Sequence, residues 1–266
     1  MLPILLMTAL AVQTPSTSKP ATSPSATRDS ARSAAVSRMA FHDSMRELWV
    51  DHVVYTRNVI ISAAAGLPDT GVVVERLLQN QDEIGNAIKP YYGEAAGSQL
   101  TALLRSHIQL AGRVLVAAKG SSHAQGDMNG HEMTIAMRSG DSTTISSTDT
   151  TKSRMNDMAK PQTDSTALNA AIAALRANGD SIATFLSSAN PRNWSRATLQ
   201  GAMQMHITLL LQQATTRLKG DWNANLAAFE AGEHHAMQMA DMLSDGIIKQ
   251  FPSRFSTKAT TMSSLQ

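Results

Sequence analysis

LTALLRSHIQLAGRVLVAAKG, residues 100–120, is the clearest statement of how this chain folds. Leu100, Leu103, Leu104, His107, Leu110, Ala111 and Val114 recur every three or four residues, which gathers them on one face of an α-helix. Nothing in the run alternates as a strand would, and Gly120 supplies a C-terminal stop. The helix it predicts covers 98–119. A second, over 40–65, puts Met45, Leu48, Trp49, His52, Thr56, Val59 and Ala63 on one face and stops at Gly66-Leu67-Pro68. Asp69 or Thr70 then caps a helix over 72–89, and Pro90-Tyr91-Tyr92-Gly93 makes the next turn. The pattern resumes over 165–188, 195–219 and 222–249, punctuated by Asn190-Pro191 and Gly220-Asp221. Short connections favour antiparallel neighbours. The expected fold is therefore all-α: an up-and-down bundle of six helices, a four-helix-type bundle extended by two.

Composition agrees. Aromatic residues make up 4% of the 266, too few for a β-sandwich or barrel, while 42% apolar residues suffice for a core. The chain has no cysteine, which removes disulfide scaffolds, thiolate zinc sites, cysteine nucleophiles and lipid-bearing cysteines together. Lys+Arg number 23 against 21 Asp+Glu, and Arg57, Arg76, Arg105 and Arg113 are dispersed, so specific nucleic-acid binding is not expected. There is no Gly-x-Ser-x-Gly elbow, phosphate-binding glycine loop or His-Glu-x-x-His.

The ends and the middle differ from the helices. Leu2–Val12 is a short apolar run ending in Ala9-Leu10-Ala11, so residues 1–11 are expected to be a signal peptide that exports the protein to the periplasm or beyond. Residues 12–39, rich in Ser, Thr and Pro, are expected to be a disordered leader. A single bundle domain spans 40–251, interrupted by a low-complexity insertion over 120–163, and 252–266 form a flexible tail. No later run reaches transmembrane length, so the mature chain should lack a membrane span.

The chain also repeats itself weakly. Asn80-Gln81-Asp82-Glu83-Ile84 matches Asn178-Gly179-Asp180-Ser181-Ile182 at an offset of 98. His107-Ile108 matches His206-Ile207 at 99, and Lys119-Gly120 matches Lys219-Gly220 at 100. A duplicated helical hairpin accounts for this, with chance agreement between Ala/Leu-rich helices as the competing explanation.

Polar residues at core positions carry the functional expectation. His52, His107 and His206 each stand where the periodicity of a different helix calls for an apolar group. Asn80 and Asn178 sit similarly, four residues before Ile84 and Ile182. In the last helix Leu226, Phe229, Glu233, Ala236, Ala240, Leu243 and Ile247 form a seam, with Glu230, His234 and Asp241 beside it. Imidazoles and carboxylates converging from separate helices are how bundles hold metals. Without thiolates, His52, His107, His206, Glu233 and Asp241 would suit one zinc, iron or manganese ion, while Asn80, Asn178, Arg57 and Asp82 would hold a small ligand. Alternatively each histidine is structural, bonded to a carbonyl or to Asn80 or Asn178. No Glu-x-x-His stands on two helices, so a ferritin-type di-iron centre is not supported. Copper is a weaker candidate. It rests on His123, Met128, His131, Met133 and Met137, on His234, His235, Met237, Met239 and Met242, and on Met203, Met205 and His206. His234 and His235 diverge by about 100° on a helix and cannot both face one ion. Tyr91, Tyr92 and Trp194 sit in turns, where they either form the lip of a site or pack against helix ends.

The segments LWVDHVVYTRNVIISAAAGLPD, VERLLQNQDEIGNAIKPYYG, LTALLRSHIQLA and MADMLSDGIIKQFPSRF resemble a poorly characterised family of bacterial helical proteins from spore-forming species. The shared marks are Trp49-x-x-His52-x-x-x-Thr56-Arg57, Arg76-Leu77-Leu78-x-Asn80, Tyr91-Tyr92-Gly93 and Gln250-Phe251-Pro252-x-x-Phe255. The resemblance covers most of 46–119 and 168–255 and departs at the leader and at the insertion. It implies a polar signature of His52, Arg57, Asn80, Asp82, His107, His206 and Asp241 without giving them roles. Members carry labels such as glycosyltransferase or acetylglutamate kinase. The residues support neither, since they show no nucleotide-binding pattern and no strands. The expected function is an exported bundle that binds a metal ion or small ligand. Two alternatives stand beside it: a structural or interaction protein of the envelope, and an enzyme using His with Asp82, Asp180 or Asp241.

Overall fold

The computed structural model describes residues 24–123 and 160–256, with side chains over 32–120 and 165–256. The expected signal peptide, the first part of the leader, the heart of the insertion and the last ten residues of the tail lie outside the described residues. Six helices follow one another: α1 Pro24–Ala65, α2 Thr70–Tyr92, α3 Glu94–His123, α4 Lys160–Ala189, α5 Arg196–Leu218 and α6 Trp222–Gln250, then a 3-10 turn over Pro252–Phe255. Among the described residues there is no strand, and the fold is the all-α bundle that the periodicity predicts. Local chemistry sets the breaks. Ser195 Oγ accepts from the Thr198 N–H and Asp221 Oδ1 from the Ala224 N–H, capping α5 and α6. Gly66 and Gly220 turn the chain with φ of 66° and 73°, a region closed to most other residues.

Four boundaries correct the sequence-based expectation. The helix starting at Ala40 in that reading begins at Pro24, so part of the 12–39 leader is helical. Proline suits a first helical position, and the DSARSAAVSRMA that follows is rich in helix formers. This extension hardly packs; of residues 32–40 only Ala34 is buried. Second, α2 continues through Pro90 to Tyr92, because Pro90 is exposed and the Gly93 N–H returns to the Lys89 carbonyl. Third, the tail expected from residue 252 is ordered at its start. Phe255 is buried, stacked on Tyr91 with ring centres 5.6 Å apart and touching Phe41 at 5.2 Å. The insertion likewise loses its edges, since α4 begins at Lys160.

Each helix packs against its neighbours in the chain, and α6 packs back on α1, so the six helices close into a ring. Across its middle α1, α3 and α5 meet one another. The ring is threefold in pattern. Met45, Leu100 and Leu199 are all buried, as are Trp49, Leu104 and Met203, then His52, His107 and His206, then Ile60, Leu115 and Ala214. In each set the first step along the chain is 55 residues and the second is 99, the excess falling in the insertion between α3 and α4. The second helices obey a matching rule: Ile84, Ile182 and Met239 are buried, and so are Ile88, Leu186 and Leu243. The offsets of 98–100 seen in the sequence are thus one step of a three-hairpin repeat, α1α2, α3α4 and α5α6.

Candidate functional site

His52, His107 and His206 come together where α1, α3 and α5 meet. The His206 ring centre lies 5.6 Å from that of His52 and 5.6 Å from that of His107, and all three side chains are buried. Their hydrogen bonds fix two of the tautomers. Gln81 Nε2 lies 2.8 Å from the Leu77 carbonyl, which identifies it as the amide nitrogen, and 3.1 Å from His52 Nδ1. An amide nitrogen only donates, so His52 Nδ1 accepts and its proton sits on Nε2. His107 is the reverse. Its Nδ1 donates to Asn178 Oδ1 at 2.8 Å, leaving Nε2 as a bare lone pair. That nitrogen is buried and has no partner. His206 makes ring contacts only, with no hydrogen bond to a described residue.

Burial keeps these rings neutral. Desolvation pushes His52 down to about 3, with His107 adding to the fall. His206 is held well below the ordinary imidazole value by burial and then by His52, His107 and His235. His107 is lowered by burial, opposed by Asn178. Neutral imidazoles offer lone pairs and N–H groups to a metal or hydrogen-bonding ligand. Here the His107 Nε2 lone pair is bare, while that of His52 is taken by Gln81.

The expected acids do not join them. Asp241 forms a two-pronged pair with Arg46, at 2.7 and 2.8 Å, and His42 stands 3.4 Å away, so it belongs to the partly exposed α1–α6 seam. The Arg46 guanidinium holds its carboxyl below the usual range. Asp82 pairs with Arg105 at 2.7 Å, and Arg57 lies 4.5 Å over the Phe229 ring with Nη1 3.5 Å from Asn225 Oδ1. Glu233 is half-buried and makes no ion pair among the described residues. No group of three or more His, Asp or Glu side chains among the described residues is arranged to hold a metal ion. The expected ligand set of His52, His107, His206, Glu233 and Asp241 therefore reduces to its histidines, and even these do not turn their nitrogens onto one point.

The amides do gather at the rings. Asn80 Nδ2 donates to the Leu48 carbonyl at 3.0 Å, and Asn178 Nδ2 to the Leu103 carbonyl at 3.2 Å. Both carbonyls lie four residues before the inward histidine. In the third hairpin the same bond is made by a histidine: His235 Nε2 is 2.9 Å from the carbonyl of Ala202, four residues before His206. His235 is the residue that sequence reasoning missed. The signal was its spacing of 29 from His206, against 28 between His52 and Asn80.

The methionine–histidine sets do not form a centre among the described residues. His234 faces outward to Gln238, Met205 is exposed, and Met203 and Met239 are core residues. Residues 128–137 of the copper set lie outside the described residues. Tyr91, Tyr92 and Trp194 pack rather than form a lip, joining Phe41, Phe251 and Phe255 at one end of the ring. No protein-family model, curated protein or solved structure matches this chain.

Proposed function

We propose that the protein is a binding protein whose occupant is one divalent transition-metal ion, with zinc, iron and manganese as the candidates, taken by His52, His107 and His206. The observation that carries this is the bare Nε2 of His107, buried and unpaired between neutral imidazoles. An unmet acceptor in such a place costs about 1–3 kcal/mol, which evolution has no structural reason to keep. The ring spacing supports it as well. An ion bonded to imidazole nitrogens at about 2.0–2.1 Å, with near-tetrahedral angles, sets ring centres about 5 Å apart. Two separations here are 5.6 Å, so the rings need to turn more than to travel, and His52 must in addition give up its Gln81 bond or move its proton to present a lone pair. Export belongs to the same reading and rests on the apolar run at residues 2–12.

The test is elemental analysis of purified protein reconstituted with each metal, beside the His52→Ala/His107→Ala/His206→Ala variant. One equivalent of metal, lost in the variant, is the expected result. Metal-free, folded protein after every reconstitution would end the proposal. A second reading is favoured by the repeated bond to the carbonyl four residues back: the polar centre sets helix register and binds nothing. It predicts metal-free protein and a loss of about 1–3 kcal/mol for each His→Ala.

A further inference from the structure

The three junctions between hairpins follow the same threefold pattern, and one of them is open. Where α6 meets α1, His42 stands 3.4 Å from Asp241 and 3.1 Å from Asp245. Where α2 meets α3, Gly97 takes the place of His42, and a Cβ there would run into the Gly85 carbonyl and Lys89. That junction is closed by contact. Where α4 meets α5, Arg196 takes the place of His42, while Thr184 and Ser188 take those of Asp241 and Asp245. Arg196 follows His42 by the two steps of 55 and 99 residues. Thr184 and Ser188 precede the aspartates by 57, the same offset that separates Ile182 from Met239.

The exchange leaves a cation without carboxylates. Arg196 makes no ion pair with a described residue and borders a groove of about 690 Å3 between α3, α4 and α5, within the size range of small-ligand sites. Leu103, Phe185 and Ala189 give the groove its apolar surface. Asp180 borders it toward the other end, eight residues before Ser188, or about 12 Å along α4. Its Oδ1 accepts from Gln204 Nε2 at 3.1 Å, and it has no cationic partner among the described residues. Between the two charges, Ser181, Thr184 and Ser188 donate their hydroxyl protons to the carbonyls four residues back, at 3.0, 2.7 and 2.8 Å. Their oxygens are left to accept.

We infer that this groove binds a short apolar peptide with both termini free, independently of any metal at the histidines. The C-terminal carboxylate pairs with Arg196 and the N-terminal ammonium with Asp180. Amide N–H groups meet the hydroxyl oxygens, and apolar side chains lie on Leu103, Phe185 and Ala189. A span of about 12 Å limits the peptide to three or four extended residues at about 3.3–3.6 Å each. The full chain would be titrated calorimetrically with Leu-Leu-Ala, Phe-Leu-Ala and Ala-Phe-Leu, and with the C-amidated and N-acetylated form of each. Arg196→Gln and Asp180→Asn remove the two charges, and Arg192→Gln, exposed and outside the groove, is the control. The expected result is binding by wild type that falls about 10-fold on amidation and about 10-fold on acetylation. Amidation should cost nothing further in Arg196→Gln, nor acetylation in Asp180→Asn, and Arg192→Gln should bind as wild type does. No binding of any of these peptides at millimolar concentration would overturn the inference. So would affinity that wild type keeps unchanged on amidation, an outcome that does not depend on how the variants fold.

Discussion

The two ends of the core are built on opposite terms. At the aromatic end, Phe41, Tyr91, Tyr92, Trp194, Phe251 and Phe255 pack edge to face or stacked, and the polar atoms among them are matched. Trp194 Nε1 donates to the Met242 carbonyl at 3.2 Å, Asn190 Nδ2 to the Gly246 carbonyl at 2.8 Å, and Tyr92 Oη to Gln250 Oε1 at 2.6 Å. At the histidine centre burial is as deep and matching is less complete: His107 Nε2, Gln81 Oε1 and Thr56 Oγ1 are buried without partners. His42 Nδ1 and Trp49 Nε1 are unmatched on the α1 turns leading to the aromatic end, and Gln213 Nε2 farther along α5. A region kept for stability alone loses its unmet groups, so a centre that retains them is the place to look for function.

Acid should separate the two regions most strongly. The three buried histidines have lowered pKa values, with His52 at about 3, so the unfolded chain takes up protons below pH 6.5 that the folded chain refuses. Stability is therefore unaffected above about pH 6.5 and falls as pH drops toward the folded values. The slope approaches about 1.4 kcal/mol per pH unit for a histidine while the pH lies below 6.5 and above its folded value, a window that for His52 reaches down to about 3. Urea unfolding at pH 7, 6 and 5 should show this loss, and the triple variant His52→Leu/His107→Leu/His206→Leu should flatten it.

The aromatic end should be the more sensitive to truncation at neutral pH. Trp194→Ala is expected to cost about 3–5 kcal/mol in chemical denaturation. Gly246→Ala should cost about 1–3 kcal/mol or more despite adding one methyl, because a Cβ there runs into the Trp194 indole. At the centre, Asn178→Ala should cost about 1–3 kcal/mol by stranding the Leu103 carbonyl and His107 Nδ1. His107→Leu should cost less than Asn178→Ala, since it removes an unmet nitrogen along with a met one. A larger loss from His107→Leu than from Asn178→Ala would erase the contrast drawn here.

The helices and the inward turn of His52, His107 and His206 were legible because a 3.6-residue period marks buried positions whatever their polarity. The threefold pattern was hidden by the residues between α3 and α4, which stretch one 55-residue step to 99 and leave only the 98–100 offsets visible. Asp241 looked like a ligand because it borders the α6 seam; its partner Arg46 lies 195 residues away, beyond any local pattern. His235 was set aside with His234 as a diverging pair, although divergence is the reason that one ring bonds inward while the other faces Gln238. Phe255 fell in an apparent tail because the two rings it meets, Phe41 and Tyr91, are far off in sequence.

The most direct test of the central claim is the thermal midpoint of the full chain at pH 7.5 with rising zinc, iron(II) or manganese(II), beside the triple histidine-to-leucine variant. The account predicts a rise with concentration for one of these metals, amounting to about 2.7 kcal/mol of added stability at 100 times Kd, and no rise in the variant. A midpoint that ignores all three metals, or that rises equally in both proteins, would contradict it.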